Sequence, residues 1–169
     1  EFKYTTSATI IPDPETVTDW DNERTFRVTS YNGDAREYTY KVVKSEIESD
    51  GDVELKTTEE VASFAATKTT VVKGNLIIGS DAEEAEKITD ISALASLKEV
   101  TGNIVIRNSY NGADLTGLDN IVSAGGLQVG STDVASKATE LHMISMKALE
   151  TLSGDISVYN DQVTYVLFE

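Results

Sequence analysis

Cysteine is absent from the 169 residues, and histidine occurs only once. Without thiols the chain can form no disulfide, no thiolate zinc site and no cysteine nucleophile. Positive charge is also scarce, since 14 Lys and Arg face 29 Asp and Glu. The resulting net charge of −15 disfavours partners that are bound through a basic patch, namely nucleic acids and anionic membrane surfaces.

Long apolar runs are missing as well, because no stretch approaches the ~20 residues that a membrane-spanning helix needs. The first residues, Glu1 to Tyr4, do not form an export signal. The content of 40% hydrophobic and 25% charged residues is ordinary for a folded protein, and the length suits one or two modest domains. We expect a soluble chain without a transmembrane segment, and its strand-like first and last residues suggest a portion of a longer protein.

Residues 1–45 have the pattern of a small antiparallel β unit. Residues 25–29 and 37–42 alternate apolar with polar side chains, which is typical of half-buried strands. The Asn-Gly pair at 32–33 tolerates the positive φ angles of a tight hairpin turn. We expect Trp20 to pack beneath this hairpin.

Residues 46–56 are rich in acidic side chains and predict a solvated connector. A cation site is the alternative interpretation, although residues 50–52 alone lack the ligand spacing of a calcium loop. Directly after this segment, Thr57 and Glu60 fit a capping box. The sequence therefore predicts a short amphipathic helix over 57–67.

Glycine recurs at positions 74, 102, 126 and 154, at separations of 28, 24 and 28 residues. Apolar residues precede each glycine, and a short alternating strand follows it. In the third copy Gly125 is an equally good anchor, so we expect a bulge or a one-residue deletion there. The predicted inward residues of the strands are Leu76 and Ile78, Ile104 and Ile106, Leu127 and Val129, and Ile156 and Val158.

A repeat of this length, with one strand per copy, cannot bury its own apolar face and must stack on further copies. The predicted fold over 57–169 is a right-handed solenoid with a parallel sheet along one side. Its first copy is weak before Gly74, and helix 57–67 is expected to act as the cap there. The fold class is therefore mainly β, with one short helix.

The pattern in residues 51–158 resembles the leucine-rich-repeat domains of Bacteroidetes cell-surface proteins, which are similar to the L domains of growth-factor receptors. The resemblance rests on residues 72–78 and 88–106, where Gly-Asn precedes the alternating strand. Residues 51–61 also resemble the strand and helix that lead into the repeats of that bacterial family. Residues 26–42 resemble the end of the small immunoglobulin-like (Ig-like) modules that precede such repeats. These resemblances imply an exported, lipid-anchored outer-membrane protein, whose signal would lie outside this chain, and they transfer no catalytic motif.

Enzyme signatures are missing from the sequence. It contains no nucleotide-binding glycine loop, no paired-histidine metal motif and no Gly-x-Ser-x-Gly elbow. His142 has no evident partner and is interpreted as a structural or surface residue. We therefore expect no catalytic residue, no metal and no cofactor.

Five side chains are candidate ligand-binding residues. Asn75, Asn103 and Gln128 occupy outward positions on the predicted sheet, and Tyr110 and Tyr159 follow its second and fourth strands. Repeat proteins commonly bind through such an extended face, and tyrosine rings could stack on sugars. The alternatives are that the asparagines bond between coils and that the tyrosines pack within turns.

Ile77 and Val105 also point outward in this pattern. They form either a small exposed apolar strip or a pair that stacks along the ladder. The sequence leaves the oligomeric state undetermined.

Three functions compete at this point. The first is a non-enzymatic extracellular binding or adhesion module for a protein or glycan ligand. The second is a structural spacer that positions other domains of a longer surface lipoprotein. The third is a carbohydrate-active enzyme that uses paired carboxylates, of which 29 acidic residues supply many by chance.

Overall fold

Antiparallel and parallel strands occupy different parts of the chain. The computed structural model describes residues 7–18, 20, 22–41, 46–132 and 140–168. Two units are present, residues 1–45 and residues 46–169. Within the described residues the structure is mainly β with one α-helix, as the sequence predicts.

The first unit contains an antiparallel sheet in the order β1-β2-β3. Phe26 lies opposite Tyr38 in this sheet. The turn between β2 and β3 contains Gly33 at a φ of 91°, as the predicted hairpin requires. Val42, which was predicted to continue the last strand, lies outside the described residues. The strands are β1 (Thr9–Ile11), β2 (Arg24–Thr29) and β3 (Ala35–Tyr40).

An aromatic cluster fills one face of this small sheet. Phe26 is buried, and the ring of Trp20 stacks on it with centroids 5.8 Å apart. Tyr40 approaches Phe26 edge-on at 6.2 Å. Such pairs stabilise beyond their buried area, so the predicted position of Trp20 against the hairpin is confirmed.

The second unit is built on parallel strands. The main sheet has the order β10-β8-β7-β6-β4, with β5 beside β7 and β11 beside β8. A separate parallel pair joins β9 to β12. The elements are β4 (Val53–Leu55), α1 (Thr58–Ala66), β5 (Val71–Val72), β6 (Leu76–Ile78), β7 (Glu99–Ile106), β8 (Ser123–Val129), β9 (Met143–Met146), β10 (Thr151–Leu152), β11 (Ile156–Val158) and β12 (Tyr165–Phe168).

The strand register follows the sequence repeat and contains its irregularity. Ile78 pairs with Ile106, 28 residues later. Between β7 and β8 the register shifts after Val100, so that Val100 faces Ala124 whereas Asn103 faces Gly126. The predicted one-residue irregularity in the third copy is therefore confirmed.

The inward columns of the sheet form the core. In the first three copies all the predicted inward residues are buried, including Leu76, Ile104 and Leu127. A short 3₁₀ turn at Ser92–Leu94 brings the side chain of Leu94 into the same core. In the last copy, by contrast, Ile156 and Val158 remain 44% and 37% exposed.

Glycine is required in this sheet because neighbouring backbones touch. A Cβ atom on Gly102 would lie 2.7 Å from the carbonyl group of Gly74, and one on Gly125 would lie 2.5 Å from the carbonyl oxygen of Gly102. A Cβ on Gly154 would in turn meet the carbonyl oxygen of Gly125 at 2.7 Å. The column of stacked glycines therefore consists of Gly74, Gly102, Gly125 and Gly154. None of these four glycines has a positive φ, so the close approach of neighbouring backbones explains why glycine recurs at these positions.

Helix α1 begins at a complete capping box. The Thr57 side chain accepts a hydrogen bond from the Glu60 amide at 3.1 Å, and the Glu60 carboxylate accepts from the Thr57 amide at 3.1 Å. Val61 and Ala65 on this helix are buried in the core. The predicted cap, helix 57–67, is present as α1, with Thr57 and Thr67 as its flanking residues.

The acidic segment at 46–56 differs from the predicted connector. It belongs to the second unit, and its residues Val53–Leu55 form β4, which pairs in parallel with β6. Glu48 also forms a parallel bridge with Val71. The acidic side chains alternate with residues that face the core, so a charged segment here still supplies a strand.

Gly102→Ala is expected to reduce the free energy of unfolding by about 1–3 kcal/mol, because the new methyl group must displace the Gly74 backbone. Thr101→Ala is the matched control, since Thr101 is exposed and adjacent, and its effect is expected to stay within ~0.5 kcal/mol. Urea unfolding measures both. Equal stabilities for the two variants would contradict the stacking of these glycines.

Thr57→Ala is expected to cost about 0.5–2 kcal/mol of unfolding free energy, since it removes the side-chain acceptor for the Glu60 amide. Thr58→Ala makes the same chemical change at the exposed first residue of the helix and serves as the control. Thermal unfolding followed by circular dichroism distinguishes them, and a larger loss for Thr58→Ala would refute the assigned cap.

Candidate functional site

The outward face of the parallel sheet is the surface on which most of the candidate residues lie. Along its central column the strand register aligns one side chain from each successive strand. Each of these side chains is exposed or half-buried, whereas its neighbours in the inner copies face the core. The column consists of Glu54, Ile77, Val105, Gln128 and Ser157.

A ladder of amides runs beside this column. The Asn75 backbone amide donates to Asp52 Oδ1 at 2.7 Å, and its side-chain Nδ2 donates to the same oxygen at 3.2 Å. Asn75 Oδ1 then accepts from the Asn103 backbone amide at 2.8 Å. Hydrogen bonds from Asn75 hold the pKa of Asp52 below its usual range. The predicted hydrogen bonding of an asparagine side chain between coils is confirmed for Asn75. Its side-chain amide is already used in hydrogen bonds with Asp52 and Asn103.

Asn103 occupies the next position of the same ladder but has a different neighbour. The residue opposite it in β8 is Gly126, which has no side chain to continue the ladder. A Cβ atom on Gly126 would lie 2.6 Å from Asn103 Oδ1. The Asn103 side chain therefore lies beside the backbone of Gly126 and not beside another side chain of the ladder.

Gln128, a member of the central column, and Tyr159 both lie near Gly130. Gln128 Nε2 donates to the carbonyl oxygen of Gly130 at 3.0 Å. Tyr159 follows β11, is 38% exposed, and has its Cβ 3.5 Å from the Cβ position of Gly130. Gly130 thus lies between these two candidate residues, and the sheet brings them to one corner of the outward face.

Tyr110 does not belong to this surface. Its side chain is 1% exposed, and its hydroxyl donates a hydrogen bond to the carbonyl oxygen of Asp114. Burial raises the pKa of this phenol well above its usual range. Tyr110 also pairs with Ile88 in an isolated parallel bridge, so its ring fills the core below a turn. The hypothesis that it stacks on a sugar is replaced by its alternative, a tyrosine that packs within the fold.

Three cations at the margin of the face are paired with carboxylates. Lys73 Nζ lies 2.8 Å from Glu48 Oε1, and Arg107 Nη1 lies 2.7 Å from Asp81 Oδ2. Lys56 makes a similar pair with Glu54. The hydrogen bond with Glu48 raises the pKa of Lys73, which remains charged at neutral pH. These pairs leave the half-buried aliphatic residues Ile77 and Val105 as the least polar part of the face.

Sequence reasoning missed a depression among the turns that link the strands. It has a volume of about 450 Å³, and Ser92, Asp119, Asn120 and Lys147 contribute to its lining. Asp119 Oδ2 lies 3.3 Å from Lys147 Nζ, while its Oδ1 is buried without a hydrogen-bond partner. The Asp-Asn pair that follows buried Leu118 is the signal that could have indicated this place.

Metal and membrane features are not found in the described ranges. No group of three His, Cys, Asp or Glu side chains there could hold a metal ion. His142 is exposed, and its Nδ1 lies 3.3 Å from the carbonyl oxygen of Gln162. Every helix in this part of the chain falls short of the length and apolar character that a membrane crossing requires.

Comparison with known proteins gives one family. The model described as Receptor L domain matches residues 68–165, an interval that contains every strand from β5 to β11. No curated protein matches the chain, and neither does any solved structure. Because the match covers more than half of the 169 residues, the chain belongs to the Receptor L domain family.

Proposed function

We propose that this chain is a non-enzymatic, extracellular binding module of a bacterial cell-surface protein, and that its ligand is a protein. Membership of the Receptor L domain family suggests a ligand-binding extracellular domain. The resemblance of the repeats to those of Bacteroidetes surface proteins supports a bacterial source and a lipid anchor. The antiparallel unit at 1–45 is proposed to be an Ig-like spacer.

The parallel register supports a right-handed solenoid as the architecture of this module. Successive strands pair 28 residues apart between β6 and β7, and 24 or 23 apart between β7 and β8 on the two sides of the register shift, as successive coils of one repeat do. Parallel crossovers in a single sheet are almost always right-handed. The outward face of such a solenoid is a continuous surface made by several coils.

The composition of the outward face is the observation on which the choice of a protein ligand rests. Half-buried Ile77 and Val105 lie at its centre, with the amides of Asn103 and Gln128 beside them. An apolar centre with a polar rim is the usual composition of a protein interface.

A glycan ligand is less well supported by the same residues. Recognition of sugars commonly uses aromatic rings with an open face, and Tyr110 is buried. Tyr159 leaves one partly exposed ring at the corner of the sheet. The structural-spacer function predicts no saturable ligand at all, so a binding screen separates it from the proposal.

Val105→Glu is expected to weaken binding of a protein ligand at least about tenfold, equivalent to ~1.4 kcal/mol, because it places a charge at the centre of the interface. The ligand is first selected from a panel of extracellular protein domains by biolayer interferometry, beside a glycan array. Thr116→Glu adds the same charge at an exposed turn and is expected to leave affinity unchanged. Thermal unfolding confirms that both variants fold.

Tyr110→Phe removes a buried hydroxyl group and is expected to cost about 1 kcal/mol of unfolding free energy without changing the affinity for the protein ligand.

Binding confined to the glycan array would contradict the protein ligand. Loss of affinity that is equal for Val105→Glu and Thr116→Glu would contradict the assigned face. The absence of binding to both the protein panel and the glycan array would favour the structural-spacer function.

A further inference from the structure

A small depression lies in the main sheet where the register shifts between β7 and β8. Its volume is about 140 Å³. The side chains of Val100 and Ala124 are buried in the core, so these two residues line the depression with their backbone, as does Gly125. Bulges interrupt the ladder of a sheet, and they often occur beside functional sites. The irregularity of the third copy therefore coincides with a concave place in the sheet.

Polar side chains from three neighbouring segments line this depression. Glu99 and Thr101 come from β7, Ser123 comes from β8, and Ser153 follows β10. Glu99 and Thr101 flank buried Val100, so the alternation of the strand directs them to the outward face. The lining of the depression is therefore one carboxylate and three hydroxyl groups, and it opens on the same side of the sheet as the central column.

The fold makes little use of these polar groups. Within the part of the chain that the structure describes, the hydroxyl groups of Thr101, Ser123 and Ser153 have no hydrogen-bond partner. The ammonium group nearest to Glu99 in charge is that of Lys73, but it is bonded to Glu48 at 2.8 Å, and the Glu99 carboxylate acts on it only over a longer distance. The lining therefore keeps hydrogen-bonding capacity and a negative charge for a ligand.

The charge of the second unit favours a cation at this place. Residues 46–169 contain 21 acidic and 8 basic residues, whereas residues 1–45 contain 8 and 6. A lysine ammonium group has three donors and no acceptor, so a carboxylate with neighbouring hydroxyl oxygens satisfies it. A volume of about 140 Å³ holds about five water molecules at ~30 Å³ each, which suits the four carbons and the nitrogen of one lysine side chain.

The depression is continuous with the proposed interface. Thr101 and Val105 are four residues apart on the same face of β7, which corresponds to ~13 Å along the strand. A standard protein interface covers about 800 Å² of each partner and spans both places. A basic side chain at the rim of such an interface would fix the orientation of the ligand, while the aliphatic centre is covered.

We propose that this depression receives a lysine side chain of the protein ligand, whose ammonium group binds the Glu99 carboxylate and the hydroxyl groups of Thr101 and Ser123. The proposal rests on the protein ligand proposed for the outward face, and it names the chemistry that this ligand presents there.

Titration of the isotope-labelled chain with Nα-acetyl-lysine amide, followed by amide chemical shifts in NMR spectra, tests the depression without the protein ligand. Saturable shifts are expected at Thr101, Ser123 and Ser153, and the affinity is expected to fall as salt rises from about 0.01 M to about 0.15 M. Nα-acetyl-norleucine amide has the same length without the ammonium group and is expected to give no saturable shift. Methyl glucoside tests the depression for sugar binding.

Glu99→Gln keeps the shape of the side chain, removes its charge, and is expected to weaken binding of the lysine probe about fivefold or more. Glu84→Gln makes the same change in an exposed turn and is expected to leave the affinity unchanged. The same pair of variants is then measured with the protein ligand selected above, for which Glu99→Gln is expected to weaken binding by a similar factor. Thermal unfolding checks that both variants fold.

The absence of saturable shifts with the lysine probe would overturn the proposal. So would equal binding of the norleucine probe, binding of methyl glucoside alone, or equal losses for Glu99→Gln and Glu84→Gln. A protein ligand that is lost on Val105→Glu and unaffected by Glu99→Gln would contradict the lysine site and leave the proposed function intact. Binding of the lysine probe without any protein ligand on the panel would contradict the proposed function alone.

Discussion

Direct contact between the backbones of successive coils is the constraint on which the second unit depends. Gly102 lies against Gly74, and Gly125 lies against Gly102, at separations that leave no room for a Cβ atom. This contact fixes the strand register, and the register determines which side chains enter the core and which face outward. It also brings the Asn75 side chain within hydrogen-bonding distance of the next coil. The outward face is thus a product of the stacking of successive coils.

The two ends of the stack differ in how they satisfy this constraint. A terminal coil has a neighbour on one side only, so its apolar residues need a cap. Helix α1 provides the cap at the first end, where Val61 and Ala65 are buried and a capping box fixes where the helix begins. In β11 the residues of the same columns, Ile156 and Val158, are partly exposed. The apolar columns of the sheet are therefore well covered beside α1 and less covered at β11.

Much of this could be predicted from the sequence because it depends on local patterns. Glycine spacing and alternating apolar residues predict the parallel strands, and the Thr57–Glu60 pair predicts the helix start. For Tyr110 the sequence offered both sugar stacking and packing within a turn, because the choice depends on the space left by Gly112 and on the Asp114 carbonyl. The strand at Val53–Leu55 fits the resemblance of residues 51–61 to a strand-plus-helix lead-in, whereas the acidic composition of 46–56 alone predicted a connector. The partial exposure of Ile156 and Val158 could not be predicted from the alternation of residues, because it depends on what packs beside β11.

The central claim is the register that aligns Ile77, Val105 and Gln128 on one face, and site-directed crosslinking tests it most directly. The native chain has no cysteine, so pairs introduced as Ile77→Cys with Val105→Cys, and as Val105→Cys with Gln128→Cys, are the only thiols present. Both pairs are register partners, and a short bifunctional thiol reagent is predicted to join each within the monomer, as identified by mass spectrometry of the digest. If single thiols react but neither pair is joined, the register, and with it the outward face, is contradicted.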